Sequence, residues 1–155
     1  MNWELLKEGA LEILFAFIGA FGFSLLFSLR GKRLFWAAFG GAVAWAFYFI
    51  VEILTSNMFL CGIVSAMVAT AYSEIFARIL KTPKTAFIFT AIVPMVPGGS
   101  LYYAMSNMIT SNIDMALKYA TDTIVMAVAL ALGIVVVILW VKVTKHIKAK
   151  KNIRV

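Results

Sequence analysis

Charge is scarce in this 155-residue chain: Asp, Glu, Lys and Arg make up 14% of it, against 63% hydrophobic residues. A soluble domain of this length is nearer half apolar. The imbalance excludes an ordinary globular core and points to the lipid bilayer. Cysteine is almost absent. Cys61 stands alone inside an apolar run, so neither an intramolecular disulfide nor a thiolate metal site can form, and it reads as a small packing residue. The one histidine, His146, lies in a basic tail and reads as solvated. No Gly-x4-Gly-Lys-Ser/Thr loop is present, which excludes ATP hydrolysis by that route. No Ser/His/Asp or His-rich constellation appears, so an enzyme has nothing to rest on and no cofactor or metal is implied.

What the chain does have is apolar length. Five segments are each long enough to cross a hydrocarbon core of roughly 30 Å as helices. They cover about residues 10–29, 34–54, 58–77, 85–105 and 122–141, the fourth being interrupted in its middle. The expected fold is therefore an all-α polytopic membrane protein, one transmembrane domain over 1–155. The first run is preceded by more acid than base and followed by Arg30, Lys32 and Arg33. That is the reverse of a secretory signal, so it reads as a retained span. Between the last two spans, residues 106–121 repeat Ile109, Ile113, Ala116, Leu117 and Ala120 at helical spacing, with Asn112, Asp114 and Lys118 between them. This fits either an amphipathic helix on the outer surface or an extension of the fifth span.

The net charge of +7 is unevenly placed. Arg30, Lys32 and Arg33 share one loop, Arg78, Lys81 and Lys84 another, and Lys142, Lys145, Lys148, Lys150, Lys151 and Arg154 the tail. With five spans all three regions fall on one side, and only Lys7 and Lys118 on the other. Basic residues are retained in the cytoplasm. The N-terminus is therefore expected outside, and the C-terminus, with the basic tail 142–155, in the cytoplasm. Charges that set topology next to lipid are no sign of a nucleic-acid partner.

The stretch with most chemical content is Pro94-Met95-Val96-Pro97-Gly98-Gly99-Ser100-Leu101-Tyr102-Tyr103, near the centre of the fourth span. Each proline removes a backbone donor and clashes with the preceding turn, and the glycines permit non-helical dihedrals. The helix should break there. Such backbone is tolerated at membrane depth only if it is buried in protein or lines a wet cavity. A helix restarting at Gly98, Gly99 and Ser100 would offer free N–H groups and a positive dipole end to a carboxylate. The plainer reading is a packing kink. Tyr102 and Tyr103 follow, as cavity hydroxyls or interfacial anchors. Glu74 lies near the cytoplasmic end of the third span with Arg78 four residues on. The pair reads either as an interfacial ion pair or as a proton or substrate site. Glu52 and Asp122 sit near outer span ends as interfacial acids. Gly62, Ala66, Ala69, Ser73 and Ala77, with Gly40 and Gly41, form small-residue packing faces. Trp3, Trp36, Trp45 and Trp140 lie mostly near span ends, as in aromatic belts.

Ser73-Glu74-Ile75-Phe76-Ala77-Arg78, Lys81-Thr82-Pro83 and above all Pro94-x-Val96-Pro97-Gly98-Gly99-x-x-Tyr102 give the chain a family likeness. It resembles the threonine/serine exporter (ThrE) family, specifically its small split subunit of the YjjB type. The likeness covers nearly the whole chain in length, span count and charge layout. Met95 stands where leucine is expected. The resemblance implies a two-part transporter of the bacterial cytoplasmic (inner) membrane, with a larger exporter subunit of the YjjP type as partner. It implies export of threonine and serine, or of a dicarboxylate such as succinate, driven by the proton gradient. On this basis Pro94, Pro97, Gly98, Gly99, Ser100 and Tyr102 are the expected substrate site. Glu74 and Arg78 are the proton-coupling or ion-pair candidates. The competing expectation is a membrane assembly or scaffold subunit with no substrate site of its own, its small-residue faces serving only to dock a partner.

Overall fold

The computed structural model describes residues 3–152, so the expectation placed on Arg154 lies outside the described residues. Every regular element among them is helical. They are α1 (Trp3–Leu26), α2 (Lys32–Thr55), α3 (Met58–Ile79), α4 (Lys84–Ile92), a 3-10 turn (Val93–Met95), α5 (Gly98–Ile109) and α6 (Ile113–Asn152). The long apolar helices α1, α2, α3 and α6 each suffice to cross a membrane. The pair made by α4 and α5 passes the same test as a fifth span and bends by 51° at its break. Counted as one span, the pair brings the number of crossings from four to five.

Local chemistry sets the ends of these helices. α1 stops at Leu26, three residues before its apolar run does. Ser28 takes a left-handed backbone (φ 57°) and Gly31 a positive φ of 58°, and together they turn the chain into α2. α2 closes on Ser56, also left-handed, whose N–H donates to Glu52 O. Asn57 then caps α3, its side chain accepting from the amides of Phe59 at 3.0 Å and Leu60 at 3.4 Å. Pro83 precedes α4, where its missing N–H costs nothing. Residues 106–121 divide between the end of α5, a turn at 110–112 and the first turns of α6. The chain thus extends its last helix and lays no separate helix on the surface. No proline or glycine interrupts it from Ile113 to Leu132, so nothing stops helix propagation at the membrane edge.

Small residues form the inside of this bundle and large ones its outside. α2 and α3 lie at its centre, with α1 against α2, α6 against α3 and α5, and α4 across both central helices. One buried cluster joins Ala44, Ala66, Ala69, Ala91, Ile92, Met95, Met126 and Leu130. A second joins Leu29, Leu34, Ala37, Ala77 and Phe87. Helices without a hydrophobic driving force between them associate by close contact. A Cβ on Gly41 would lie 2.7 Å from Ala20 Cβ, and one on Gly133 would lie 2.6 Å from Ile63 O. Buried Ser24, Thr70, Ser73 and Thr90 return their hydroxyls to carbonyls of their own helices at 2.7–2.8 Å. No buried side-chain polar atom among the described residues is left without a partner. Phe15, Ile18, Leu54, Ile75, Ile79, Leu139 and Trp140 all face outward, as a lipid-facing surface requires.

Candidate functional site

The fourth span breaks where its prolines stand. Pro94 sits in the 3-10 turn that ends α4, and Val96 is extended at φ −61°, ψ 126°. Val96 N–H donates to Val93 O at 3.1 Å and Gly98 N–H to Val96 O at 2.7 Å. Pro97, at φ −75° and ψ 55°, then occupies the position before α5, and no side chain caps that helix among the described residues. Leu101 N–H is the first to bond back, to Pro97 O at 3.1 Å. The amides of Gly99 and Ser100 are thus left at the open end of the helix, where its dipole is positive.

A cavity of about 180 Å³ lies against this break, lined by Pro94, Met95, Val96, Pro97, Gly99 and Ser100 together with Trp45, Tyr48, Met58 and Met126. Four of the expected site residues, Pro94, Pro97, Gly99 and Ser100, therefore meet on one wall. Gly98 starts the same helix without lining the cavity. Tyr102 is 66% exposed, in edge contact with Tyr103 at 5.5 Å, and is not part of the cavity lining.

On the other side of Trp45 and Pro94 lies a second cavity, of about 300 Å³, which adds Glu12, Phe15, Ala16 and Gly19 of α1. Trp45 Nε1 donates to Glu12 Oε2 at 3.2 Å. Sequence reading passed over Glu12. The available signal was an acid inside the first apolar run, four residues beyond Glu8 and eight beyond Glu4, and hence on one helix face with them.

Glu74 occupies a different place. Its side chain is 8% exposed and carries two cations. Arg78 Nη2 donates to Oε2 at 2.8 Å, and Lys84 Nζ donates to Oε1 at 2.5 Å and to Oε2 at 2.7 Å. The expected ion pair is present, and Lys84 at the start of α4 is a partner that spacing along one helix could not reveal. Met58 of α3 lines the break cavity, whereas Glu74 lies about 24 Å further along the same helix. The fold keeps the two expected groups apart. Glu74 and Arg78 instead border a separate apolar cavity of about 430 Å³ between α3 and α6.

A family model described as "Threonine/Serine exporter, ThrE" matches residues 12–140. The chain belongs to the threonine/serine exporter family. The match runs from Glu12 to Trp140 and so includes the break, both cavities beside it and the Glu74 cluster. Membership makes the chain a multi-pass membrane transport protein and sets it among exporters. No curated protein and no solved structure matches it significantly.

Proposed function

We propose that this member of the exporter family is one subunit of a two-component secondary exporter of the bacterial cytoplasmic membrane. The substrate is a small carboxylate-bearing metabolite, bound at the broken span. The amides of Gly99 and Ser100 receive the carboxylate at the positive end of α5, an arrangement typical of discontinuous transporter helices. Asymmetry of basic residues supports an outside N-terminus and a cytoplasmic C-terminus. The likeness to the split exporters supports a larger subunit of the YjjP type as partner and the proton gradient as the energy source.

One observation carries the two-component reading. Val96, Gly98 and Gly99 are exposed in the isolated chain, although they lie midway along a span, where Val96 is non-helical and the first amides of α5 have no helical partner. Lipid cannot satisfy such backbone. A second protein surface facing the break would both cover it and complete the cavity.

Glu74 is assigned a structural part in this scheme. Held between Arg78 and Lys84, it joins α3 to the entry of the broken span and lies far from the substrate.

Gly99→Ala tests the reading. No atom lies within 4 Å of a Cβ added at Gly99, and its φ is not positive. The variant should fold and assemble normally while losing most export, because the methyl group obstructs a carboxylate at the amides. Lost assembly would favour the scaffold role, and unaltered export would overturn the proposed site.

A further inference from the structure

We infer that the groove between α3 and α6 binds an anionic phospholipid, with an acyl chain in its apolar wedge and the phosphate on Arg78 and Lys145. The site is separate from the break and depends on no property of the transported substrate.

The groove arises from the way two parallel helices pack. Gly62 of α3 meets Ala129 of α6, and Gly133 of α6 meets Ala66 of α3. A Cβ added at either glycine would lie only 2.8 and 2.7 Å, respectively, from its neighbour's Cβ. Small residues hold the helices together there. Beyond Met67 that contact gives way to a cavity of about 430 Å³, walled by Ala71, Ile75, Val136, Val137 and Trp140. Ile75, Val136 and Trp140 are exposed, so the cavity opens onto the outer surface of the bundle.

Its length suits a lipid chain. From Met67 to Arg78 the α3 wall rises about 16 Å, and Met67 is near the middle of α3. That is the depth of one leaflet in a hydrocarbon core of roughly 30 Å. An unfilled apolar wedge forfeits dispersion contacts along its lining.

The deep end of the groove is apolar and the shallow end is basic. The register that sets Gly62 on Ala129 and Ala66 on Gly133 brings Arg78 level with Lys145. Lys145 stands within electrostatic reach of both Arg78 and Lys84. Glu74 offsets only one of these three positive charges. Lys145 forms no salt bridge among the described residues. Arg78 donates to Glu74 through Nη2 alone and is half exposed, which leaves most of its N–H fork for a phosphate. Basic pockets between membrane helices hold anionic head groups in this way. A partner helix would have to bring both an acid and apolar side chains to this groove. An anionic lipid carries both in one molecule and already surrounds the bundle.

The test is native mass spectrometry of the full chain, purified in detergent alone and with its larger partner subunit. Each sample is mixed with equal amounts of phosphatidylglycerol and phosphatidylcholine of the same chain length. One phosphatidylglycerol per chain should be retained, about tenfold or more over phosphatidylcholine. Arg78→Gln and Lys145→Gln should each lower that preference about fivefold. Lys118→Gln, at the other end of α6, should leave it unchanged. Ala71→Phe fills the wedge without altering charge and should abolish retention. Lys145 is exposed, so its variant keeps the test decisive if Arg78→Gln or Ala71→Phe fails to fold. Equal retention of the two lipids, or no effect of Lys145→Gln, overturns the inference. Displacement of the lipid by glycerol 3-phosphate at the same concentration also overturns it, by reducing the groove to an anion site. Loss of the lipid on binding the partner does so too, by making the groove a subunit interface.

Discussion

Lys84 reaches both carboxylate oxygens of Glu74, at 2.5 and 2.7 Å, and so fastens the first residue of α4 to the last turns of α3. Arg78 holds the same carboxylate from its own helix at 2.8 Å. Lys145 of α6 is close enough to feel the charge of both cations. Among the described residues Glu74 is thus the one acid that these bases share.

Removing that acid should therefore be costly. Glu74→Ala leaves Arg78 and Lys84 facing each other without a counterion, and because both are partly exposed solvent screens part of the cost, leaving about 1–3 kcal/mol. Thermal unfolding in detergent should move down by roughly 5–10 °C. Lys84→Ala should cost less, about 1 kcal/mol, because the lysine is 39% exposed and screened. A Glu74→Gln variant of normal stability that exports without needing a proton gradient would contradict the structural assignment and restore Glu74 as the coupling group.

Close packing of α3 on α6 gives the second prediction. A methyl at Gly133 would meet Ile63 O at 2.6 Å and Ala66 Cβ at 2.7 Å, neither of which is a flexible tip. Gly133→Ala should destabilise by about 1–3 kcal/mol through overpacking, read as a lower unfolding temperature. Gly99→Ala serves as the open-space control and should leave that temperature unchanged. Equal behaviour of the two variants would contradict the helix contact described.

Much of this was legible in the sequence because hydropathy and breakers are local signals. The run from Met58 and the Pro94-to-Gly99 interruption each follow from residues adjacent in the chain. Lys84 on Glu74 and Glu12 beside Trp45 join residues ten and thirty-three positions apart, which only tertiary packing brings together. Tyr102, one turn beyond cavity-lining Gly99, does not itself line the cavity and is 66% exposed, a detail of side-chain placement that adjacency in the chain could not decide. For the last helix the sequence left two readings of 106–121 open, because hydropathy marks where a helix meets lipid and not where helical backbone ends; α6 starts at Ile113.

Orientation yields a third prediction. In the proposed five-span topology three crossings separate the turns at Ser28 and Ser111, which places them on opposite faces. Both serines are exposed, and native Cys61 is 1% exposed, so it offers little background to thiol reagents. In intact cells, Ser111→Cys should react with a membrane-impermeant maleimide and Ser28→Cys should not, until the membrane is opened. The inverse pattern would reverse the proposed topology.

The most direct test of the central claim is export of labelled threonine, serine and succinate from cells carrying this chain alone, the larger partner alone, or both. Export of at least one substrate only when both are present, persisting on ATP depletion and abolished by an uncoupler, is the expected result. No export by the pair, with both subunits confirmed in the membrane, or equal export by either one alone, would contradict it.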